Sequence, residues 1–371
     1  MIITLISLIC LGASPSINGS QQTVLMSTAQ QQEMHAKGRA LHQAIEDGDL
    51  KIFRDLIAQE APINYAVSYH NYKGDITNRC LCRTITNLTP LHRAVEKGNI
   101  EIVTELLQTK DIEIDAVAAF EVDYNNRVPT FYVTPLMMAL TYGDPSLSPD
   151  DIFGQEKAEE PTSKVYLALI KKYEALVKLF VDHKAALTKI EDTASKQVLY
   201  PVSFAVQRGS VTMLKTLLDA GADCTIPEKS SPLECAIYRY QAPMVNLLLQ
   251  HGVHIESPID ACFGKRSIRF SPLGRALEQY ESILRWFEEN AQRVIAPIMQ
   301  IIEDLLFLGA DTKRLSWDIE NPDYKGLSFD DYILKHAPLE NLQQARDRAD
   351  KRREALKQTV VEQEKKEDAD K

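Results

Sequence analysis

The residues of this chain best suited to chemistry are Cys80 and Cys82, with His70 upstream in the same stretch. Two thiolates and an imidazole would supply part of a zinc site, which takes four such ligands in a tetrahedron. A second closely spaced cysteine pair to complete the set is missing from the sequence, so the pattern amounts to half a site and implies no resident metal. In an oxidising compartment a disulfide from Cys80 or Cys82 is the better use of these thiols, with Cys262 the other loop cysteine within possible reach. His251 and His254 stand three apart, but His251 follows Leu247-Leu248-Leu249-Gln250 at a helix end. An imidazole beside the last carbonyls of a helix is a favourable cap, and His183 has the same placement. The pairs Asp150-Asp151 and Glu159-Glu160 fall in a stretch rich in Ser, Pro, Asp and Glu and read as solvated loop. The sequence has no Gly-rich phosphate loop, no nucleophile elbow and no kinase signature. The expectation is no catalytic, cofactor or metal site, with an enzyme or metal-binding domain carried by the long insertions as the alternative.

The elements that would position any such group are repetitive. Thr89-Pro90-Leu91-His92-Arg93-Ala94 has counterparts in Ala40-Leu41-His42-Gln43-Ala44 and Thr134-Pro135-Leu136-Met137-Met138-Ala139. The frame returns at Tyr200-Pro201-Val202-Ser203-Phe204-Ala205, Ser231-Pro232-Leu233-Glu234-Cys235-Ala236 and Ser271-Pro272-Leu273-Gly274-Arg275-Ala276. Thr or Ser before Pro sets a hydroxyl at an N-cap and proline at the first helical position, where its missing N–H costs nothing. Leu91, Ala94 and Val95 then share one face of a short helix. Gly98 supplies the positive φ that ends this helix and reverses the chain, and Ile100, Val103, Leu106 and Leu107 form the apolar face of a second. Helices of about 8–10 residues are too short to stand alone in water. Such units must stack on one another.

The chain resembles the ankyrin-repeat family. Thr89 to Leu107 follows the family pattern closely, and Leu217-Leu218-Asp219-Ala220-Gly221-Ala222-Asp223, Leu247-Leu248-Leu249-Gln250-His251-Gly252 and Leu305-Leu306-Phe307-Leu308-Gly309-Ala310-Asp311 match its second helix. The resemblance implies an all-α solenoid of about six degenerate helix-turn-helix repeats with long loop insertions. It also implies a module that binds another protein, or, at its simplest, a structural spacer. His42 and His92 stand where the family has a structural histidine. Met137, Ser203, Glu234 and Gly274 replace it in the other copies. The Leu41, Leu91 and Leu136 frames are further apart than the family period of about 33 residues, so extra residues enter as insertions at 65–88, 116–133 and 145–163. Where the inter-helix Gly is due, the fifth and sixth copies have Tyr240 and Tyr280. After Tyr280 the helical pattern runs on to about Val294 and restarts at Pro297, which predicts a lengthened first helix.

By the family register, the two positions before the inter-helix turn face the concave side of the stack. They are Glu46 and Asp47, Glu96 and Lys97, Thr141 and Tyr142, Gln207 and Arg208, Tyr238 and Arg239, and Glu278 and Gln279. The series passes from acidic to Tyr and Arg, the types that most often anchor interfaces. A formal net charge of −10 sets the chain against nucleic acid as its partner. Lys171-Lys172 and Lys351-Arg352-Arg353, its densest basic stretches, are interleaved with acids and read as solvated helix surface.

Residues 1–16 read as a signal peptide: Met1 to Ala13 are almost wholly apolar, with small residues following. The run falls short of the about 20 residues needed to cross a bilayer. The expectation is an exported monomer, or a cytoplasmic one if the leader is silent. Residues 17–37 read as a flexible polar spacer, 38–337 as the repeat domain and 338–371 as a charged, solvated helical tail.

Overall fold

A computed structural model describes residues 27–70, 81–123, 130–142, 163–188, 190–191, 198–208, 210–225, 231–263, 266–286, 291–313, 315, 328–335 and 340–369. Its helices fall into consecutive pairs. These are α1 (Thr28–Asp47) with α2 (Leu50–Ala58), α3 (Pro90–Glu96) with α4 (Ile100–Gln108), and α5 (Pro135–Tyr142) with α6 (Ser163–Asp182). They continue as α7 (Pro201–Arg208) with α8 (Val211–Asp219), α9 (Pro232–Tyr238) with α10 (Ala242–Gln250), and α11 (Pro272–Trp286) with α12 (Ala291–Phe307). Two further helices, α13 (Phe329–Lys335) and α14 (Glu340–Ala369), follow.

The expected caps start these helices. Thr89 Oγ1 accepts from the His92 amide, Thr134 Oγ1 from Met137, Ser231 Oγ from Glu234 and Ser271 Oγ from Gly274. Second helices are capped by Asp49, Asn99 and Ser210. The turn between the pairs needs a left-handed residue: Gly98 supplies φ 59° and Tyr240, in the place of glycine, φ 58°.

First helices stack in one row (α1, α3, α5, α7, α9, α11) and second helices from α4 onward in another. The first row is the more closely packed, because Ala44, Ala94, Ala139, Ala205, Ala236 and Ala276 stand buried in it. A stack with one tighter row curves toward that row, which places the first helices on the concave side. One continuous apolar core runs from Leu41 to Ala349.

The insertions are not plain loops. Strands β1 (Val67–His70), β2 (Leu81–Leu88), β3 (Ala118–Asp123) and β4 (Thr130–Val133) form an antiparallel sheet in that order. Ile85 lies opposite Tyr69 on one side and Phe120 on the other, and Phe120 opposite Phe131. Burial of Ile85 and Phe120 under this sheet is what holds its strands on the repeats. Two further hairpins, β5 (Ile190–Glu191) with β6 (Val198–Leu199) and β7 (Ile259–Phe263) with β8 (Arg266–Phe270), sit between later repeats. The third insertion lies outside the described residues apart from Ser163, the first residue of α6. That helix has 20 residues where α4 and α8 each have 9.

Other expectations shift at both ends. Helix α1 begins at Thr28, with a capping box between Ser27 and Gln30, so part of the supposed spacer is helix. The predicted lengthening of α11 is present, at 15 residues. Pro297 does not restart a helix; it lies inside α12, which begins at Ala291. The largest correction concerns the tail. Leu342, Ala345 and Ala349 of α14 are wholly buried against the last repeat. Arg348 Nε is 2.6 Å from Glu303 and Arg352 Nη1 is 2.7 Å from Asp304. The Arg352 guanidinium lies 4.3 Å over the Phe307 ring. Arg353 donates to the free carbonyls of Leu306 and Phe307 and so caps α12. The charged segment is therefore the end piece of the stack as far as Arg353. Beyond it Leu356 stands 55% exposed.

Candidate interaction surface

The positions expected on the concave face divide into three groups. At the N-terminal end Glu46, Glu96 and Lys97 are tied together through Arg93. Its guanidinium is nearly buried, 2.6 Å from Glu96 and 3.3 Å from Glu46, and 5.0 Å over the Tyr69 ring. Lys97 pairs with Glu46 from the other side, so this end is charge-balanced rather than acidic. Asp47 is exposed and accepts from Gln43.

A second group is not available to a partner. Thr141 is buried and donates to the Met137 carbonyl. Tyr142 is half-buried, stacked on Tyr173 at 5.5 Å with 19° between the rings. The cause is the extended α6, which carries Tyr173 over the end of α5 and places its hydroxyl on the Glu96 carbonyl. Burial there pushes the Tyr173 phenol well above its ordinary range. Glu278 and Gln279 are buried as well. Glu278 binds Arg275 and accepts from Ser282 and Gln279, while Gln279 accepts from the Tyr240 hydroxyl. They lie inside α11 instead of at its end, and α13 packs alongside, with the Tyr332 hydroxyl on the Leu277 carbonyl.

The third group is open. Tyr238 is 59% exposed at the end of α9, with Arg275 5.8 Å from its ring centre, and Arg239 beside it is exposed. Gln207 is half-buried beside Cys235, and the Arg208 side chain lies outside the described set.

Of the remaining candidates for chemistry, several described ones have structural contacts. The His183 Nδ1–H donates to the Leu179 carbonyl, the expected helix-end cap. His251 instead sits 3.5 Å from Asp219 of the preceding repeat. Cys224 and Cys235 are free thiols whose pKa burial raises, the reverse of a reactive thiolate. Cys80 and the side chains of His70, Cys82 and Cys262 lie outside the described set. Among the described residues no cluster of His, Cys, Asp or Glu could hold a metal, and no helix is long and apolar enough to cross a membrane.

The two frame histidines tie each repeat to the strand or loop ahead of it. His92 donates from Nε2 to the Val133 carbonyl at 3.2 Å and accepts at Nδ1 from Thr89 Oγ1 at 2.8 Å. His42 donates from Nε2 to the Tyr65 carbonyl at 2.8 Å. Burial holds both rings neutral, with pKa values lowered to about 4. The residue in the place of Thr89 is Arg39, which has no hydroxyl to offer, and among the described residues Nδ1 of His42 has no partner.

Sequence reasoning missed one feature. A cleft of about 430 Å³ opens between α1, β1 and α3, lined by Arg39, His42, Gln43, Glu46, Arg93 and the face of β1. Only the pairing of an insertion strand beside the helix row creates it, and no single frame announces it.

A family model for ankyrin repeats matches residues 5–147 in three copies. Over that stretch the chain is similar to ankyrin repeats. No curated protein matches it. Among solved structures it is similar to the human ASB11 ankyrin repeat domain, at 17% identity and a TM-score of 0.44, over 83% of this chain and 96% of that one. It is likewise similar to the ankyrin repeat domain of Bcl-3, of the IkappaB protein family, at 17% identity and a TM-score of 0.44, over 80% of this chain and 98% of that one. Ankyrin repeats are in general protein-interaction modules.

Proposed function

We propose that this ankyrin-repeat chain binds a partner protein through the concave row of first helices and carries out no reaction itself. The observation behind the proposal is the exposure of Tyr238 beside Arg239. A tyrosine leaving 59% of its surface in water, next to an arginine and a buried polar network, has the composition of an interface anchor. Equivalent positions in the third and sixth repeats are filled from within the protein, whereas Tyr238 and Arg239 of the fifth stay open. In the same proposal the chain acts as a monomer and is exported, on the strength of its apolar first residues.

The test is affinity capture from the native source with the wild type and with a Tyr238→Ala/Arg239→Ala variant of unchanged thermal midpoint. A protein retained by the first and lost by the second supports the proposal. Equal retention by both removes these residues from the interface. The intact mass of the native chain tests export: it should lack the leader residues.

A further inference from the structure

Arg239 sets a condition on whatever covers Tyr238. Three helices of the first row meet around these two residues. From α7, Gln207 Nε2 reaches the Cys235 sulfur at 3.9 Å, and from α11 the Arg275 guanidinium lies 5.8 Å from the centre of the Tyr238 ring. The Cys235 thiol, pushed up chiefly by burial, also feels Glu234 and Arg239, which sets both charges beside it. Four charged groups thus gather on this face: Glu234 and Arg239 from the fifth repeat, Arg275 and Glu278 from the sixth.

Both acids turn inward. Glu278 is nearly buried and accepts from Arg275, Gln279 and Ser282. Glu234 Oε1 lies 3.9 Å from Arg275 Nη2, with its side chain 15% exposed. Among the described residues, no carboxylate and no hydrogen bond holds the Arg239 side chain, which stands in water. Elsewhere in the row Arg93 is matched by Glu46 and Glu96, and Lys97 by Glu46.

Two acids and two arginines sum to no net charge, so the patch exerts little pull at a distance. Its selectivity acts at contact. A partner that packs on Tyr238 takes water from Arg239 beside it. A guanidinium stripped of water without a counter-charge is strongly unfavourable. Neither Glu234 nor Glu278 can turn to Arg239 without weakening the hold on nearly buried Arg275. The counter-charge must come from outside.

We propose that the Tyr238 surface receives an acidic segment of a partner protein, with an Asp or Glu carboxylate paired to Arg239 and an apolar side chain against the Tyr238 ring. The proposal rests on that surface being an interface and adds the chemistry of what it takes.

A bead-bound library of random octapeptides, screened against the full chain as wild type and as Arg239→Glu, tests it. Peptides enriched on the wild type should carry Asp or Glu beside an apolar residue. Their affinity should fall at least about tenfold, the equivalent of roughly 1.4 kcal/mol, in Arg239→Gln and in Tyr238→Ala. Arg239→Glu should select Lys or Arg in place of the acid, a reversal that loss of the fold would not give. Lys51→Glu makes the same change of charge at an exposed position of α2 and should bind the acidic peptides like wild type. Peptides that weaken in Tyr238→Ala but carry no acid, or that bind Arg239→Gln as well as wild type, leave the interface standing and overturn the acidic partner. Equal weakening in Lys51→Glu, or no enrichment, overturns it too. Acidic peptides indifferent to both Tyr238→Ala and Arg239→Gln overturn the interface itself.

Discussion

The second and sixth repeats begin alike and end differently. Each opens with Ser or Thr, then Pro-Leu, then Arg-Ala one residue later. In each the arginine is nearly buried and bound to a glutamate three residues on, Arg93 to Glu96 and Arg275 to Glu278. An aromatic ring lies against each guanidinium, Tyr69 and Tyr238 respectively. After that point they diverge. Gly98 breaks the second repeat after a helix of 7 residues, whereas helix α11 passes through Tyr280 and reaches 15. His92 reaches forward to the Val133 carbonyl, but at Gly274 the ring is gone and the Leu315 backbone itself has moved in. The Leu315 carbonyl accepts from both the amide and the hydroxyl of Ser271. The contact between a repeat and the segment ahead of it is thus kept in both, once by a side chain and once by direct backbone approach.

The largest effect should come from removing what supports the sixth repeat. Truncation after residue 337 deletes α14, exposes the apolar patch under Leu342, Ala345 and Ala349 and leaves Glu303 and Asp304 buried without their arginines. Breaking buried ion pairs from one side costs about 3–5 kcal/mol, and a loss of at least that size is expected in urea unfolding. A truncated chain as stable as the full one would mean that α14 is a solvated tail after all.

Next comes Gly274→Ala. An added Cβ would overlap the Leu315 carbonyl, which is backbone and cannot swing aside. A cost of about 3 kcal/mol is expected, and Gly274→His, which restores the family residue, should be worse still. If either variant matched wild type in urea, the close approach at Leu315 would be refuted. The second repeat should respond in the opposite sense: there the ring is required, and His92→Gly opens a hole and frees the Val133 carbonyl.

The histidines also separate the two ends by pH. Both His42 and His92 have pKa values lowered from 6.5 to about 4, chiefly by burial. The unfolded chain therefore takes up protons first, and stability present above pH 6.5 is lost as the pH falls toward 4. At pH 5 the loss is about 2 kcal/mol for each ring. The sixth repeat has glycine in this place. Hydrogen exchange at pH 7 and pH 5 should thus show α1 to α4 loosening first. Uniform loosening along the stack would remove the histidines as its cause.

Much of this array was legible because its rules are local. A hydroxyl before proline, an alanine in the row and a residue able to take positive φ each act within a few positions, and Thr89, Ala94 and Gly98 do what their types require. The strands were hidden because β2 gains its order from pairing with β1 and β3, partners far along the chain. The tail misled for the same reason. Arg348, Arg352 and Arg353 signal water when read alone, and only Glu303 and Asp304, two neighbouring acids amid the apolar residues at the end of α12, hint at where they dock. Glu278 and Gln279 are buried because the helix does not end there.

The smallest effect on stability, and the sharpest on the comparison, concerns two tyrosines one position apart in the repeat frame. Tyr142 is stacked on Tyr173, while Tyr238 stands in water apart from its contact with Arg275. Tyr142→Ala should therefore cost about 1–3 kcal/mol through lost stacking and burial. Tyr238→Ala should stay within about 0.5 kcal/mol, as exposed substitutions do. In binding the order should reverse, with Tyr238→Ala weakening the partner and Tyr142→Ala leaving it unchanged at temperatures where the variant is folded. Paired thermal melts and binding isotherms on the two variants read both halves. Equal destabilisation would mean that Tyr238 is packed like Tyr142, and its exposure would then no longer mark an interface.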